Sequence, residues 1–541
     1  LLSLYHMILI YFIFILFPDN LIQLQKIGDY QSFQCICKSF LFNRALSFPL
    51  LGSTWESILT RKSFATVVQE IYNLIPDTKY VGLYNRMTPV LMIRDEELIK
   101  SITIKNFNYF RNHRNFINEK IDSFFSSNLL LLRDDRWRNV RSLFTPAFSS
   151  SKMRSMFQLM SETAVNVAKY LSTLPANENT TLELKDSFTK YTNDVIATCA
   201  FGISVNSIKD PKNNFYVYGK EATHFGTSQS FKFFIVRSLP WVARAFNIRI
   251  IRKQIVDFFQ DLVATTIKTR DEKGIVRPDM LQLMMETRGK LGPGKELTIE
   301  DMTAQAFVFF FGGFESTSTL MCFTAYEVGM NEEVQRRLQD EIDQVLEDCK
   351  GEATYEAIND MKYLDAVILE SLRMYPTIVA VDRLCVKPFE LPPHLPGKKP
   401  YIVQENECIW IPIYGIQRDP QNYPEPNKFN PDRFYSDAKQ MFNSSSLFTF
   451  GLGPRMCIGN RFAILETKVL LFYIFAKCNL IPCAKTPIPL KLNRKGFSMT
   501  SENGFWFNIQ PRNIKKGEVE KITVPGTTMF IEKIPDRHPD N

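Results

Sequence analysis

The most chemically suggestive feature of this sequence is a cysteine set among glycines just ahead of an apolar, helix-like run: Phe450-Gly-Leu-Gly-Pro-Arg455-Met-Cys457-Ile-Gly459, then Ala463 to Ala476. A thiol placed before a helix start sees aligned backbone N–H groups, which lower its pKa and favour the thiolate, the form that ligates metal. Glycines at 451, 453 and 459 let the backbone approach a flat cofactor and donate to sulfur without a Cβ clash. No two of the five histidines sit at metal-ligand spacing, so a histidine-held metal has no support.

Three further groupings could do chemistry or hold it in place. Glu370-Ser-Leu-Arg373 puts a carboxylate and a guanidinium at i, i+3 on one helix face, and a second arginine, Arg433 in Pro426-Asn-Lys-Phe-Asn-Pro-Asp-Arg433-Phe434, can complete a buried bidentate triad. Alone, the pair reads as a surface ion pair by roughly ten to one; its order and spacing ahead of the Cys457 loop reverse that reading. Phe311-Gly-Gly-Phe-Glu315-Ser316-Thr317 places two glycines inside a helical stretch. Each costs about 1 kcal/mol relative to Ala, so something needs the room, whether a ligand or a closely packed neighbour. Trp137-x-x-x-Arg141 sets an indole N–H and a guanidinium on one helix face.

Helical periodicity, which must position these groups, dominates from about 95 to 385. Amphipathic stretches fall near 151–174, 186–201, 250–270, 298–330, 332–348 and 355–374. Strand-like signals are short and sit near 78–93, 383–411 and 495–510. Thr298-Ile-Glu-Asp301 has the form of a capping box opening a helix that runs beyond Glu327, about 45 Å long. Apolar nearly all round from Ala304 to Phe314, it must cross the interior. The fold class is therefore mainly α with a small β-sheet portion.

Composition narrows the function. The 541 residues are 45% hydrophobic with a net charge of +8, and no block of five like charges occurs, which leaves nucleic-acid binding without support. Ten cysteines without a short repeated spacing suit a reducing compartment. Residues 1 to 17 are apolar save mainly Ser3 and His6, spanning about 25 Å, and lack a basic lead and a small-residue cleavage site. The expectation is a retained anchor over residues 1–18 rather than a cleaved signal. Lys26, Lys38 and Arg44 follow, which points to a cytosolic catalytic domain. A connecting segment fills 19–47, one catalytic domain 48–512, and a polar tail 513–541.

Phe-x-x-Gly-x-Arg-x-Cys-x-Gly around Cys457 resembles the heme-binding loop of the cytochromes P-450, heme-thiolate monooxygenases. Five fixed positions matching by chance in a chain this long has a probability on the order of 1 in 10,000. Glu370, Arg373 and Arg433 resemble the family's Glu-x-x-Arg and Pro-x-Arg-Phe pair, and Gly312-Gly-Phe-Glu315-Ser316 its central-helix stretch, which opens beside the distal heme face. The resemblance covers roughly residues 48 to 512 and implies the P-450 fold, with a long central helix over heme b (iron protoporphyrin IX), whose axial thiolate is Cys457. It gives Trp137, Arg141, Arg455 and Arg383, with His113 or Arg114 beside them, as propionate partners, and Phe450 and Gly459 as loop residues against the cofactor. Glu315 and Ser316 become the proton-handling pair. Ser316 stands where the family usually has Thr, which keeps the hydroxyl but frees its rotamer, so coupling of electrons to product is expected to be looser.

The resemblance further implies one oxygen atom from O2 inserted into a lipophilic small molecule, with electrons from NADPH-cytochrome P-450 reductase and cytochrome b5 as a helper, at the endoplasmic reticulum membrane. The sequence itself holds no flavin or nicotinamide fingerprint. Lys152, Arg154 and Lys439 are candidate docking cations. Phe307, Phe310, Phe311 and Phe314 on the long helix, with Ile378 and Val381, are candidate substrate walls, about half of them on the pocket and the rest plain core. The apolar stretch from Phe231 to Trp241 is read as a membrane-dipping entry path or a buried helix. The whole looks most like insect xenobiotic-metabolising members related to the vertebrate drug-metabolising branch. Two other readings are a heme-thiolate isomerase or dehydratase, whose members tend to lose the acid and hydroxyl kept here as Glu315 and Ser316, and a catalytically inert heme binder.

Overall fold

The computed structural model describes residues 51–512 and 532–533, apart from 87, 115–116, 118–120, 175–180, 224–228, 230–231, 234, 237–239, 278, 289–296, 436–446 and 497. The expected anchor, the connecting segment to residue 47, nearly all of the tail, Lys439 and Phe231 lie outside the described residues. The chain divides into two compact units, Leu1–Phe110 with Val379–Ile416, and Arg111–Ile378 with Gln417–Asn541.

The first unit is built on a four-stranded sheet in the order Tyr80–Asn85, Thr88–Ile93, Cys408–Ile411, Val381–Leu384. The first two strands form an antiparallel hairpin with Tyr80 opposite Ile93, so the single strand signal near 78–93 resolves into a pair. Cys408–Ile411 runs parallel to Thr88–Ile93 and antiparallel to Val381–Leu384. Buried at every position, it reads as a continuous apolar run rather than an alternation. Helix Phe64–Tyr72 opens at Ser63, whose Oγ accepts the Thr66 N–H, and buries Val68, Ile71 and Tyr72 at helical spacing. Its Phe64 ring meets Trp410 of the sheet edge-on.

The second unit is mostly helical. Its axis is the helix Ile299–Met330, opened by the expected capping box: Thr298 Oγ1 accepts the Asp301 N–H at 3.0 Å and Asp301 Oδ2 accepts the Thr298 N–H at 3.3 Å. Against it pack Leu184–Ile196, Lys253–Lys273, Lys362–Met374 and Asn460–Lys477. Among the described residues it is the one helix long and apolar enough to cross a membrane, and most of its apolar stretch is buried inside the protein, which makes it a core helix. A three-stranded antiparallel sheet, Thr181–Glu183, Trp506–Pro511 and Cys478–Pro482, lies beside the helices. Of the strand signal over 495–510, only this last part forms a strand.

One expected helix is two. The periodicity over 355–374 is interrupted at Asp360-Met361, giving Tyr355–Asn359 and Lys362–Met374. Glu341, from the helix Glu332–Asp348, accepts the amides of Tyr363 (2.8 Å) and Leu364 (2.9 Å), so a carboxylate from outside satisfies the N–H groups that the break leaves open.

The helix Leu184–Ile196 runs on through a π-turn, Ala197–Phe201, to Gly202 at φ 71°. Near its end Asp194 accepts the Ser207 N–H (2.8 Å), Ser207 Oγ (2.5 Å) and Asn193 Nδ2 (3.1 Å). Burial outweighs these donors and pushes the Asp194 carboxyl up to about 6. The folded protein thus holds a proton there that the unfolded chain releases near pH 4, so this contribution to stability is complete below about pH 4 and lost as pH rises through 6. Asp194→Asn, neutral throughout, is expected to flatten the fall in denaturant midpoint between those pH values; an unchanged slope would show that Asp194 does not titrate there.

Candidate active site

Cys457 owes its position to a loop whose backbone runs through the left-handed region twice, at Gly451 (φ 77°) and Gly453 (φ 71°), where a side chain would be strained. The turn closes when the Cys457 N–H donates to the carbonyl of half-buried Phe450 at 2.8 Å and the Met456 N–H to Gly453 at 2.9 Å. Gly459 at φ −92° needs no glycine for its angle; it caps the helix Asn460–Lys477 and turns its N–H toward the sulfur. The thiol sits deep in the protein mass yet opens on accessible space. Contrary to the expected net lowering, burial pushes its pKa up, opposed by the Gly459 N–H and the Arg141 guanidinium. A thiol buried at this depth, with one N–H donor and one nearby cation, fits a metal ligand, because a bound metal deprotonates it outright.

Of the arginines singled out by sequence, Arg141 acts on the thiol. The helix Asp134–Phe144 buries Trp137, Val140 and Phe144 and carries Arg141 one turn beyond Trp137. Arg455 lies over the Trp137 ring at 3.9 Å and donates to the carbonyls of Arg111 and Leu132, both at 2.9 Å, and to Asn112 Oδ1 at 3.4 Å. Among the described residues Arg141 is paired with no carboxylate; burial lowers its pKa and the Cys457 sulfur is the charge that raises it. His113 gives its carbonyl to Arg133 (3.2 Å), and Arg114 is half-buried. In the first unit, Arg383 on Val381–Leu384 is 2% exposed, donates through Nη1 to the Asp382 carbonyl, and leaves Nε without a partner among the described residues. Burial pushes this guanidinium down to about 10, so it too calls for an anion.

Glu370 and Arg373 are fully buried, and Arg433 is 3% exposed. Arg373 clasps Glu370 through Nε–Oε2 at 2.7 Å and Nη2–Oε1 at 2.8 Å, and Arg433 Nε reaches Oε1 at 3.3 Å. The Asn430 N–H adds a donor at 3.0 Å. Sequence reasoning missed Gln417, which connects this cluster to the thiol loop. Its amide donates to the carbonyls of Leu372 and Arg373, and its Oε1 accepts the Phe448 N–H and the Thr449 hydroxyl, both at 2.9 Å. The available signal was a fully buried glutamine following the apolar run 409–416.

On the central helix the two glycines do different work. A Cβ on Gly312 would meet nothing within 4 Å, whereas one on Gly313 would lie 2.8 Å from Ile196 Cδ1, so the ligand reading belongs to the first and the packing reading to the second. Ser316 Oγ turns back on the Gly312 carbonyl, and Glu315 is held by Lys185 at 3.0 Å. The candidate wall divides into packed and open members. Phe307, Phe310 and Phe314 are buried core: Phe307 and Phe310 pack on Phe259, Phe310 also on Phe215, and Phe314 on Tyr216. Gly219 leaves the space into which Phe310 fits. Phe311 alone of the four stays half-exposed, beside Gly312, and Phe309, not singled out by sequence, is half-exposed against Phe144 and Phe148. Ile378 is 48% exposed, and Val381 is half-buried on its strand in the first unit. One residue past Ser316, Thr317 turns inward to Glu466, whose buried carboxyl burial raises well above the carboxylate range.

A mostly helical chain with a glycine-set thiol backed by Arg141 and a central helix opened at one glycine is the arrangement that a cysteine-ligated heme protein requires. The family profile of cytochrome P450 matches residues 48–507, and the chain belongs to that family. It is 43% identical over 491 residues to cytochrome P450 9e2 of Blattella germanica, covering 86% of this chain and 91% of that protein. It is 40% identical over 497 residues to probable cytochrome P450 9f2 of Drosophila melanogaster, covering 88% and 95%. With cytochrome P450 6j1 of Blattella germanica the identity is 31% over 465 residues. The protein is a heme monooxygenase similar to insect members of the family, dependent on a redox partner, dioxygen and a small-molecule substrate.

Two outcomes follow from this geometry. Gly312→Ala is expected to hold or raise the denaturant midpoint, because it gains helix propensity and meets open space, while Gly313→Ala loses about 1–3 kcal/mol through overpacking on Ile196. Equal effects in the two unfolding curves would refute the distinction. Glu370→Ala, which strands two buried guanidinium groups, is expected to cost about 3–5 kcal/mol and most of the heme-loaded yield, read as absorbance of the purified protein.

Proposed function

We propose that Cys457 supplies the axial thiolate to heme iron, and that Trp137, Arg141 and Arg455, together with Arg383, receive the two propionates, with Phe450 and Gly459 against the macrocycle. The heme, once bound, supplies activation of dioxygen for insertion of one oxygen atom into a C–H bond or alkene. The supporting observation is Cys457 itself: a deep thiol opening on accessible space, with Arg141 as its one nearby cation and Gly459 N–H as its donor. Glu370, Arg373 and Arg433 keep the loop's support rigid.

Glu315 and Ser316 handle protons on the other face. Ser316 must leave the Gly312 carbonyl to do so, a rotation that a hydroxyl without a β-methyl makes readily. Phe311 and Phe309 beside Gly312 give the substrate an apolar approach, and with Ile378 and Val381 they suit a lipophilic molecule, xenobiotic or endogenous. Electrons come from NADPH through cytochrome P-450 reductase, with cytochrome b5 as a helper. Of the docking cations, half-buried Lys152 is the better candidate, since Arg154 is already engaged with Glu356 and Tyr355. The enzyme is placed at the endoplasmic reticulum membrane, anchored by residues 1–18, with 19–47 as connection, 48–512 as cytosolic domain and 513–541 as tail. Trp241 at 50% and Phe246 at 76% exposure are apolar groups suited to a membrane surface.

The test is a carbon monoxide difference spectrum of the reduced protein in membranes. A strongly red-shifted Soret band, lost in Cys457→Ala, is expected; a band that survives the substitution would remove Cys457 as the ligand.

A further inference from the structure

Lys185 stands in the first turn of the helix Leu184–Ile196, far in sequence from every motif described above. Its ammonium nonetheless lies on a single turn of the central helix, at 3.0 Å from Glu315 Oε1, 2.8 Å from Ser318 Oγ, 2.6 Å from Thr319 Oγ1 and 3.3 Å from the Glu315 carbonyl. Three ammonium protons are thus shared among four acceptors, all on the turn that begins at the acid. Seven residues on, on the same helix face, Thr192 Oγ1 donates to the Phe314 carbonyl at 3.0 Å. Ser318 Oγ also reaches both carbonyls, at 2.7 Å for Phe314 and 3.2 Å for Glu315. The stretch just after the two glycines is therefore held from outside by one neighbouring helix.

No hydrogen bond joins Glu315 to Ser316 among the described residues: the carboxylate is on Lys185 and Thr319, and the hydroxyl is on Gly312. The Lys185–Glu315 pair is partly shielded from solvent, with side chains 21% and 30% exposed, and its members sit on separate helices. We propose that Lys185 is the positioning residue for Glu315, anchoring its carboxylate on the flank of the central helix from which it serves the Ser316 face. This rests on the reading of Glu315 as the proton-handling acid. An unanchored glutamate on a helix samples several rotamers, so removal of Lys185 should misdirect the acid without touching the thiol loop.

The experiment compares Lys185→Met, Lys185→Arg, Glu315→Gln and the Lys185→Met/Glu315→Gln double variant, all heme-loaded. Expected are an unchanged carbon monoxide band and a several-fold rise in hydrogen peroxide released per NADPH for Lys185→Met. A solvent isotope effect altered as in Glu315→Gln, no further change in the double variant, and recovery in Lys185→Arg complete the pattern. Denaturant unfolding of the wild type, Lys185→Met, Glu315→Gln and the double variant, which needs no turnover, should be non-additive if the two side chains pair. Additive unfolding, or wild-type coupling in Lys185→Met while Glu315→Gln uncouples, overturns the proposal and leaves the reading of Glu315 standing. Wild-type coupling in Glu315→Gln itself overturns that reading and the proposal with it. If Lys185→Met does not hold heme, Lys185→Gln takes its place, and equal coupling in the Gln and Arg variants overturns the proposal.

Discussion

Everything that presents Cys457 rests on a carboxylate that water cannot reach. Glu370 is fully buried, and a charge in that position is tolerable only because two guanidinium groups and a backbone N–H surround it. Arg373 in turn donates to the carbonyls of Gln417 and Pro426, and Arg433 to that of Glu425. The cluster therefore stitches a helix to the segments around Gln417 and Glu425–Arg433. Gln417 then passes the constraint on through Phe448 and Thr449 to the residues just ahead of the thiol loop. Apolar residues could have stabilised this region as well or better, but they would not fix the direction of a loop through paired donors and acceptors.

The central helix meets a different demand. It must be buried enough to cross the unit and open enough to admit a ligand beside Gly312. Burial is achieved on the side of Phe307, Phe310 and Phe314, where aromatic rings from two other helices fill the space. Openness centres on Gly312, the exposed residue of this stretch, with Phe309, Phe311, Glu315 and Ser316 partly open around it. The helix loses propensity at both glycines, and side chains at Thr192, Lys185 and Ser318 bond the carbonyls of the following turn.

How much of this was legible in the sequence depended on where each signal lay. The Cys457 loop, the Glu370 and Arg373 pair and the capping box at Thr298 are local patterns whose partners lie within a few residues, and each stands where the spacing puts it. Arg433 was legible by its order relative to them. The aromatic face was legible only in proportion: a helix that is apolar all round carries no moment to tell the packed side from the open one, so Phe309 was overlooked and which candidate phenylalanines were core stayed open. The break at Asp360-Met361 escaped because its cap, Glu341, comes from another helix. Lys185 and Gln417 escaped for the same reason, since their meaning lies in partners roughly 130 and 30 to 45 residues away.

The electrostatics of the thiol complete the picture. Burial raises the pKa of Cys457 and lowers that of Arg141, so it disfavours the charge on each, and among the described residues each supplies the charge that relieves the other. The thiolate form is thus unfavourable in the protein alone and becomes favourable when a metal takes the sulfur's lone pair, with a proton released as it binds. An anionic group beside Arg141 would likewise relieve it, since burial disfavours its charge and no carboxylate is paired with it among the described residues. A deep thiol beside such a guanidinium suits a ligand that carries a metal and negative charge, and binding such a ligand adds directly to the stability of the fold around it.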